Sequence, residues 1–207
     1  MQPYLIPAIP AIPVTSSEEI KKSRFITLLA HTCGVNDAKS FIQQVKQQHP
    51  TARHHCWAFV AGAPTDSQQL GFSDDGEPSG TAGKPILAQL MGSHIGEVTA
   101  VVVRYYGGIK LGTGGLVRAY GSGVQQALTQ IEVKYKVPQL EYTLQCDYAQ
   151  LAMVEMLLQQ VDGQVLQSEY AEFVTLHLSL PARQASQVGD KLRDLSRGTL
   201  QLAPISQ

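Results

Sequence analysis

The sequence lacks the features that mark secreted and membrane proteins. Its 207 residues include only three cysteines, and Cys33, Cys56 and Cys146 lie too far apart to indicate a disulfide framework. No apolar run approaches the roughly 20 residues that a membrane span requires. Residues 1–13 are apolar, but they contain four prolines and no basic residue, which fits neither a signal peptide nor a span. We therefore expect a cytoplasmic protein with reduced thiols and no membrane partner.

Strong charge of either sign is also missing. Charged residues make up 16% of the chain, hydrophobic residues 43%, and the formal net charge is −1. Such a composition permits a packed core and argues against a surface that is basic throughout. The charge is nevertheless uneven: residues 1–136 contain 12 basic and 9 acidic side chains, whereas residues 137–207 contain 4 and 8. The first part is mildly basic and the second is acidic.

Apolar patterns in the first part predict a mixture of strands and helices. Residues 1–15 resemble an extended, proline-rich lead-in. Residues 36–48 have helical spacing, and one face is expected to be buried through Ala38, Phe41, Ile42 and Val45. Further helices are expected at 84–91 and 115–131, and strands at 25–30, 54–61, 69–73 and 98–106. Gly121 and Gly123 interrupt the last helix, which suggests close packing against a neighbour.

The second part begins near Pro138, a plausible domain boundary. After it the patterns predict, in order, a strand at 140–146, a helix at 148–161, a hairpin of 164–168 with 173–180, a helix at 181–195 and a strand at 199–203. This βαββαβ order is the ferredoxin-like arrangement. We therefore predict an α+β protein with two domains, residues 1–136 and residues 137–207.

A glycine-rich stretch, residues 104–121, follows the apolar strand 98–103. We call its residues 107–115 the glycine loop. Backbone N–H groups where this loop enters a helix can hold a phosphate, with Lys110 and Arg118 nearby. The loop matches neither common nucleotide motif, because Thr113 stands where a P-loop has lysine and Val117 stands where the dinucleotide fingerprint has glycine. Anion binding and a purely structural connection both remain open.

An acidic loop, residues 74–77, carries Asp74, Asp75 and Glu77 around Gly76. Three carboxylates this close together can bind Mg²⁺ through oxygen ligands. Asp and Gly are equally the usual residues of a solvated turn. If the first interpretation holds, the protein is a metal-dependent phosphate-ester hydrolase or transferase. Residues 112–115, the end of the glycine loop, would then hold the phosphate. No nucleophile or base can be assigned to such an enzyme.

Histidine and cysteine occur together at Arg53-His54-His55-Cys56. In a strand His54 and Cys56 share one face, and His55 lies on the other. Neither this run nor His31 with Cys33 has the spacing of a structural zinc site, and Cys56 lies among apolar residues typical of a core. We expect no metal, no cofactor and no assignable catalytic residue.

Basic residues of the first part are candidates for one nucleic-acid-binding face. Lys21, Lys22 and Arg24 form a short basic cluster, and Tyr105, Tyr106 and Tyr120 are available for base stacking. The side chains and backbone groups that we expect to contact a nucleic acid or another anion are Arg53, His54, Lys84, Arg104, Lys110, Gly112, Thr113, Gly114 and Arg118.

These motifs also carry a family resemblance. Residues 21–25, 53–58, 73–85 and 104–121 resemble the bacterial branch of the IMPACT family, and the match covers nearly the whole chain. The resemblance implies an N-terminal domain like the second domain of a small-subunit ribosomal protein and like domain IV of elongation factor G. It implies a C-terminal domain like domain V of that factor.

The resemblance implies a function near translation. Eukaryotic relatives regulate translation by competing for a protein partner, although they carry a different domain in place of the acidic one here. We therefore expect a binding protein that contacts RNA, the ribosome or a translation regulator, with the metal-dependent phosphate-ester enzyme as the alternative.

Overall fold

The computed structural model describes residues 2–8 and 13–205. It contains two compact units: Tyr4–Lys136, and Val137–Gln207 together with Met1–Pro3. The strands of the first unit are β1 (Tyr4–Pro7), β2 (Val14–Ile20), β3 (Ser23–His31), β4 (His54–Val60), β5 (Leu70–Ser73), β6 (Val98–Tyr105) and β7 (Val133–Lys136). Its helices are α1 (Gly34–Gln48), α2 (Gly83–Gly92) and α3 (Thr113–Leu128).

An antiparallel five-stranded sheet in the order β2-β3-β6-β4-β5 forms the centre of this unit. The central strand β6 pairs with β3 along its whole length and with β4 from Val98 to Arg104, so that Arg104 lies opposite both Phe25 and His54. All of β6 except Tyr105 is buried, because helices cover both faces of the sheet. Its unbroken run of valine, alanine and threonine suits a strand that is buried on both sides.

The helices divide the core of this unit into two layers. On one face α1 packs its Ala38, Phe41, Ile42 and Val45 against the sheet, as the helical spacing predicted. On the other face α2 and α3 pack against the sheet around the fully buried Tyr120. The helix α1 begins at Gly34 without a side-chain cap, two residues earlier than Asn36.

The proline-rich lead-in is partly a strand. Its β1 pairs with β7 from Tyr4 opposite Lys136 to Pro7 opposite Val133, a strand pair that local patterns did not reveal. The buried Glu97 accepts hydrogen bonds from Tyr4 Oη, His31 Nε2 and Lys136 Nζ, which ties both strands to the rest of the unit. Residues 9–12 of the lead-in lie outside the described residues.

The second unit is ferredoxin-like, as predicted. Its elements are β8 (Gln139–Cys146), α4 (Leu151–Gln159), β9 (Gln164–Tyr170), β10 (Val174–Pro181), α5 (Ala185–Leu195) and β11 (Ala203–Pro204). The antiparallel sheet order is β11-β8-β10-β9, and alternate β10 residues from Val174 to Leu180 are buried. The last strand is only Ala203–Pro204, so the strand expected at 199–203 was placed too early. In the described residues, no helix is long and apolar enough to cross a membrane.

Candidate anion-binding site

A cavity of about 470 Å³ lies beside the start of α3 in the Tyr4–Lys136 unit. The acidic loop and the glycine loop both line it, so the fold brings the two loops together. His54 and Arg104 bring two neighbouring strands to the same place, since they are paired across β4 and β6. The residues that line the cavity are Arg53, His54, Gly76, Glu77, Pro78, Arg104, Tyr106, Lys110, Leu111, Gly112, Thr113 and Leu116.

Most of the residues expected from sequence meet at this cavity. Those that line it are Arg53, His54, Arg104, Lys110, Gly112 and Thr113. The other three, Lys84, Gly114 and Arg118, are exposed but do not line it. Arg118 lies one turn into α3, and its Nε donates to the Gly114 carbonyl oxygen at 3.4 Å. The sequence did not single out Pro78, Leu111 or Leu116, because nothing local distinguishes them from ordinary loop and core residues.

Arg104 is a buried, paired cation and not part of an open basic face. It is 5% exposed, and its Nη1 donates to Glu77 Oε1 at 2.6 Å. The same Glu77 oxygen accepts from Tyr120 Oη at 2.7 Å, while Arg104 Nη2 donates to Ser23 Oγ at 3.3 Å. The Nε of Arg104 has no hydrogen-bond partner among the described residues. Burial, the neighbouring Cys56 and the bond to Glu77 raise the pKa of Tyr120 far above its usual range, so the phenol stays neutral.

The carboxylate of Asp74 holds the start of α2. It accepts hydrogen bonds from the backbone N–H groups of Gly80, Ala82 and Gly83 at 2.8, 3.0 and 2.8 Å. Burial alone would raise the pKa of Asp74, but these bonds outweigh it and lower the pKa below its usual value. The carboxylate is thus committed to a structural role.

Asp75 and Glu77 are committed as well. Asp75 accepts from the His55 backbone N–H at 2.7 Å and from Lys46 Nζ at 3.0 Å, and Glu77 is the partner of Arg104. The left-handed backbone at Asp75 and Gly76, with φ of 44° and 86°, makes the acidic loop a turn. Across residues 2–8 and 13–205, no three His, Cys, Asp or Glu side chains form a group that could hold a metal ion. The three carboxylates of this loop are therefore not free to bind Mg²⁺, as the magnesium interpretation would require.

His54 lines the cavity. Its Nδ1 lies 2.8 Å from the Asp75 carbonyl oxygen, and because a carbonyl only accepts, Nδ1 carries the proton. The Nε2 then remains available to a ligand. The neighbouring Cys56 is fully buried, its Sγ donates to the Asp74 carbonyl oxygen, and burial raises its thiol pKa strongly. Cys56 is therefore a core thiol and not a nucleophile.

The glycine loop has both a structural and a binding element. A Cβ at Gly107 would overlap the Lys22 backbone, so this glycine is required by close approach of two chain segments. Gly112 has φ of 76° and is the N-cap of α3, with no side-chain cap. The N–H groups of Thr113, Gly114 and Gly115 have no intrahelical acceptor, and of these residues Thr113 lines the cavity. Its N–H can therefore bind an anion there.

The cavity combines two free cations with an aromatic face. Arg53 and Lys110 are exposed, and neither forms an ion pair among the described side chains. Tyr106 is 40% exposed, and the Cζ atoms of Arg53 and Arg104 lie 5.5 and 5.4 Å from its ring centroid. Since Glu77 offsets Arg104, the charged residues that line the cavity leave two positive charges on a chain of net charge −1.

Comparison with known proteins gives a full-length match. The family model "Impact N-terminal domain" matches residues 21–128, and "Domain of unknown function (DUF1949)" matches residues 144–199. The chain is 65% identical to the IMPACT family member YigZ of Escherichia coli K12, over 96% of this chain and 98% of that protein. It is 54% identical to an IMPACT family member of Haemophilus influenzae, over 97% and 96% of the two chains.

More distant sequences and a solved structure agree. YvyE of Bacillus subtilis, also an IMPACT family member, is 38% identical over 86% of this chain and 82% of its own length. A crystal structure described as that of a hypothetical protein is 63% identical and covers 100% of this chain and 99% of its own, with a TM-score of 0.78. The similarity thus includes both units.

Proposed function

Because this chain belongs to the IMPACT family, we propose that it is a cytoplasmic binding protein that contacts single-stranded RNA during translation. The contact is made by the cavity beside α3. One observation carries the proposal: the start of α3 meets two cations without ion pairs, Arg53 and Lys110, at one cavity. Among the described residues that line it, the only carboxylate is Glu77, which Arg104 already neutralises.

Local charge supports an anionic ligand. The two uncompensated positive charges lie next to unsatisfied N–H groups, and the positive end of the α3 dipole adds to them. A phosphate is the anion for which this combination is best known in proteins. The −1 charge of the whole chain does not oppose it, because screening confines the interaction to about one Debye length, roughly 10 Å.

Tyr106 supports a nucleic acid in particular. Base–aromatic stacking tolerates any sequence and accompanies backbone contacts in proteins that bind single strands. Here the partly exposed Tyr106 lines the cavity, and the Cζ atoms of Arg53 and Arg104 lie 5.5 and 5.4 Å from its ring centroid. The site therefore offers a backbone contact and a base contact within one cavity.

The same geometry favours binding over catalysis. The acidic carboxylates are engaged in structural hydrogen bonds, and the thiol of Cys56 is buried. Glu77, a carboxylate that lines the cavity, is held by Arg104 and Tyr120.

The test is a titration of labelled single-stranded RNA at several salt concentrations. We expect Arg53→Ala with Lys110→Ala to weaken binding. The slope of log K against log salt concentration should become shallower by about 1 to 1.5, because each phosphate contact with a single strand contributes about 0.7 to it. The matched control is Lys39→Ala with Lys134→Ala, which removes the same charge from exposed positions outside the cavity. Its slope should stay near that of the wild type.

Two results would contradict the proposal. Equal effects of the two double variants would mean that the cavity has no special part in binding. If the wild type binds no RNA even at low salt, RNA is not the ligand of this site, and a protein partner becomes the favoured ligand.

A further inference from the structure

The cavity is larger than a phosphate group. Its volume of about 470 Å³ lies within the range of about 300–1,000 Å³ that is usual for small-molecule sites. The start of α3 and the partly exposed Tyr106 both line it. A ligand with one anionic end and one planar, stackable end can contact both.

The charge of the cavity distinguishes between two kinds of phosphate. Arg53, Lys110 and the Arg104–Glu77 pair leave a net charge of +2. A terminal phosphate monoester carries about −1.5 to −2 at neutral pH and presents three free oxygens. An internal phosphodiester carries a single negative charge, as each nucleic-acid phosphate does. The monoester is therefore the better match in charge.

A buried donor supports the same choice. Arg104 lines the cavity and is 5% exposed, yet its Nε–H has no acceptor among the residues that the structure describes. A buried N–H without a partner is rare in native structures. Lys110 Nζ, the Arg53 guanidinium and the Thr113 N–H add further donors at the cavity, which suit the three free oxygens of a monoester.

We infer that this cavity recognises the terminal phosphate monoester of a nucleotide, with the base against Tyr106, in preference to an internal phosphodiester. The ligand chemistry is shared by a free nucleoside monophosphate and by the phosphorylated end of an RNA strand. The inference rests on the proposed function, in which the same cavity binds RNA. It specifies that the part of the RNA bound there is the end of the strand.

The test compares short oligoribonucleotides of one sequence that end in a 5′-phosphate, in a 3′-phosphate or in hydroxyls only. We expect one phosphorylated form to bind at least about tenfold more tightly than the hydroxyl form, the effect of one further hydrogen bond to a charged group. Lys110→Ala should remove this preference. Lys39→Ala, an exposed lysine on α1, should keep it.

Adenosine monophosphate, as a competitor, separates the two sources. If adenosine monophosphate displaces the labelled strand at about the same concentration as the unlabelled phosphorylated strand does, the ligand is a free nucleotide. If only the phosphorylated strand displaces it, the ligand is a strand end. Equal affinity for all three strands would overturn the inference and leave the proposed RNA binding intact. Binding of the free nucleotide without any RNA would retain the inference and defeat the RNA proposal. Absence of binding by every probe would defeat both.

Discussion

Arg104 Nη1 donates a hydrogen bond of 2.6 Å to Glu77 Oε1, and both side chains are almost completely buried. The pair joins the end of β6 to the acidic loop, so that loop and strand together form one side of the cavity. It also decides the charge of the site, because the carboxylate cancels one cation and leaves the exposed Arg53 and Lys110 to act on a ligand.

The first prediction concerns this pair. Glu77→Ala should lower the free energy of unfolding by about 3–5 kcal/mol, because it leaves Arg104 buried without its counter-charge. It also removes the acceptor of the Tyr120 hydroxyl. Urea unfolding followed by the fluorescence of Trp57, the single tryptophan of the chain, reports on the unit that contains the pair.

Glu18→Ala is the matched control. Glu18 is exposed on β2 and forms no ion pair within the described part of the chain, so its loss should change stability by no more than about 0.5 kcal/mol. Equal stabilities of the two variants would show that the buried pair does not hold the acidic loop.

The second prediction concerns two glycines of α3. An added Cβ at Gly123 would lie 2.6 Å from Thr27 Oγ1, whereas one at Gly121 would lie 3.8 Å from Gln89 Nε2. Gly121→Ala should stabilise the protein by up to about 1 kcal/mol through helix propensity. Gly123→Ala should be less stable than Gly121→Ala by about 1–3 kcal/mol, the usual cost of overpacking. Thermal unfolding of both variants checks the order, and the reverse order would refute it.

The third prediction concerns acid. Burial opposes ionisation of Asp74 and Asp75, but hydrogen bonds to backbone N–H groups and to Lys46 outweigh it and lower both pKa values. A carboxyl whose folded pKa is lowered stabilises the fold fully above its unfolded pKa of about 3.9. That contribution is lost as the pH falls through the folded pKa. The unit Tyr4–Lys136 should therefore lose stability below about pH 4.

Asp74→Asn tests the origin of this acid sensitivity. The variant should be less stable at neutral pH, and its stability should fall less steeply with acid, because one titrating group has been removed. Urea midpoints measured at a series of pH values, again from Trp57 fluorescence, give both quantities. Parallel pH profiles for wild type and variant would mean that Asp74 does not contribute.

Periodic elements of the fold could be predicted because burial imposes a pattern on them. The buried face of α1, the central β6 and the βαββαβ order of the second unit all follow from apolar spacing. Pairing between β1 and β7 could not be predicted, since it joins Tyr4 to Lys136 across most of the first unit and neither strand has an alternating pattern. Its register depends on contacts with Glu97 that no local window contains.

The residue types of the candidate site could be predicted better than their roles. Clusters of glycine, basic and acidic residues indicated both loops, and the fold brings them together. Whether Arg104 is free or paired depends on Glu77, 27 residues earlier in the chain, and sequence spacing does not determine such a contact. Lys84 and Arg118 have the right chemistry, but the helices α2 and α3 place them outside the cavity.

The most direct test of RNA binding at the cavity follows backbone amide signals of the full-length protein by NMR during titration with a single-stranded oligoribonucleotide. The account predicts saturable shifts at Thr113, Gly114 and Gly115, in the first turn of α3, and at His54. It also predicts that Arg53→Ala with Lys110→Ala weakens these shifts. Shifts confined to the Val137–Gln207 part of the chain, or no shifts at any RNA concentration, would contradict it.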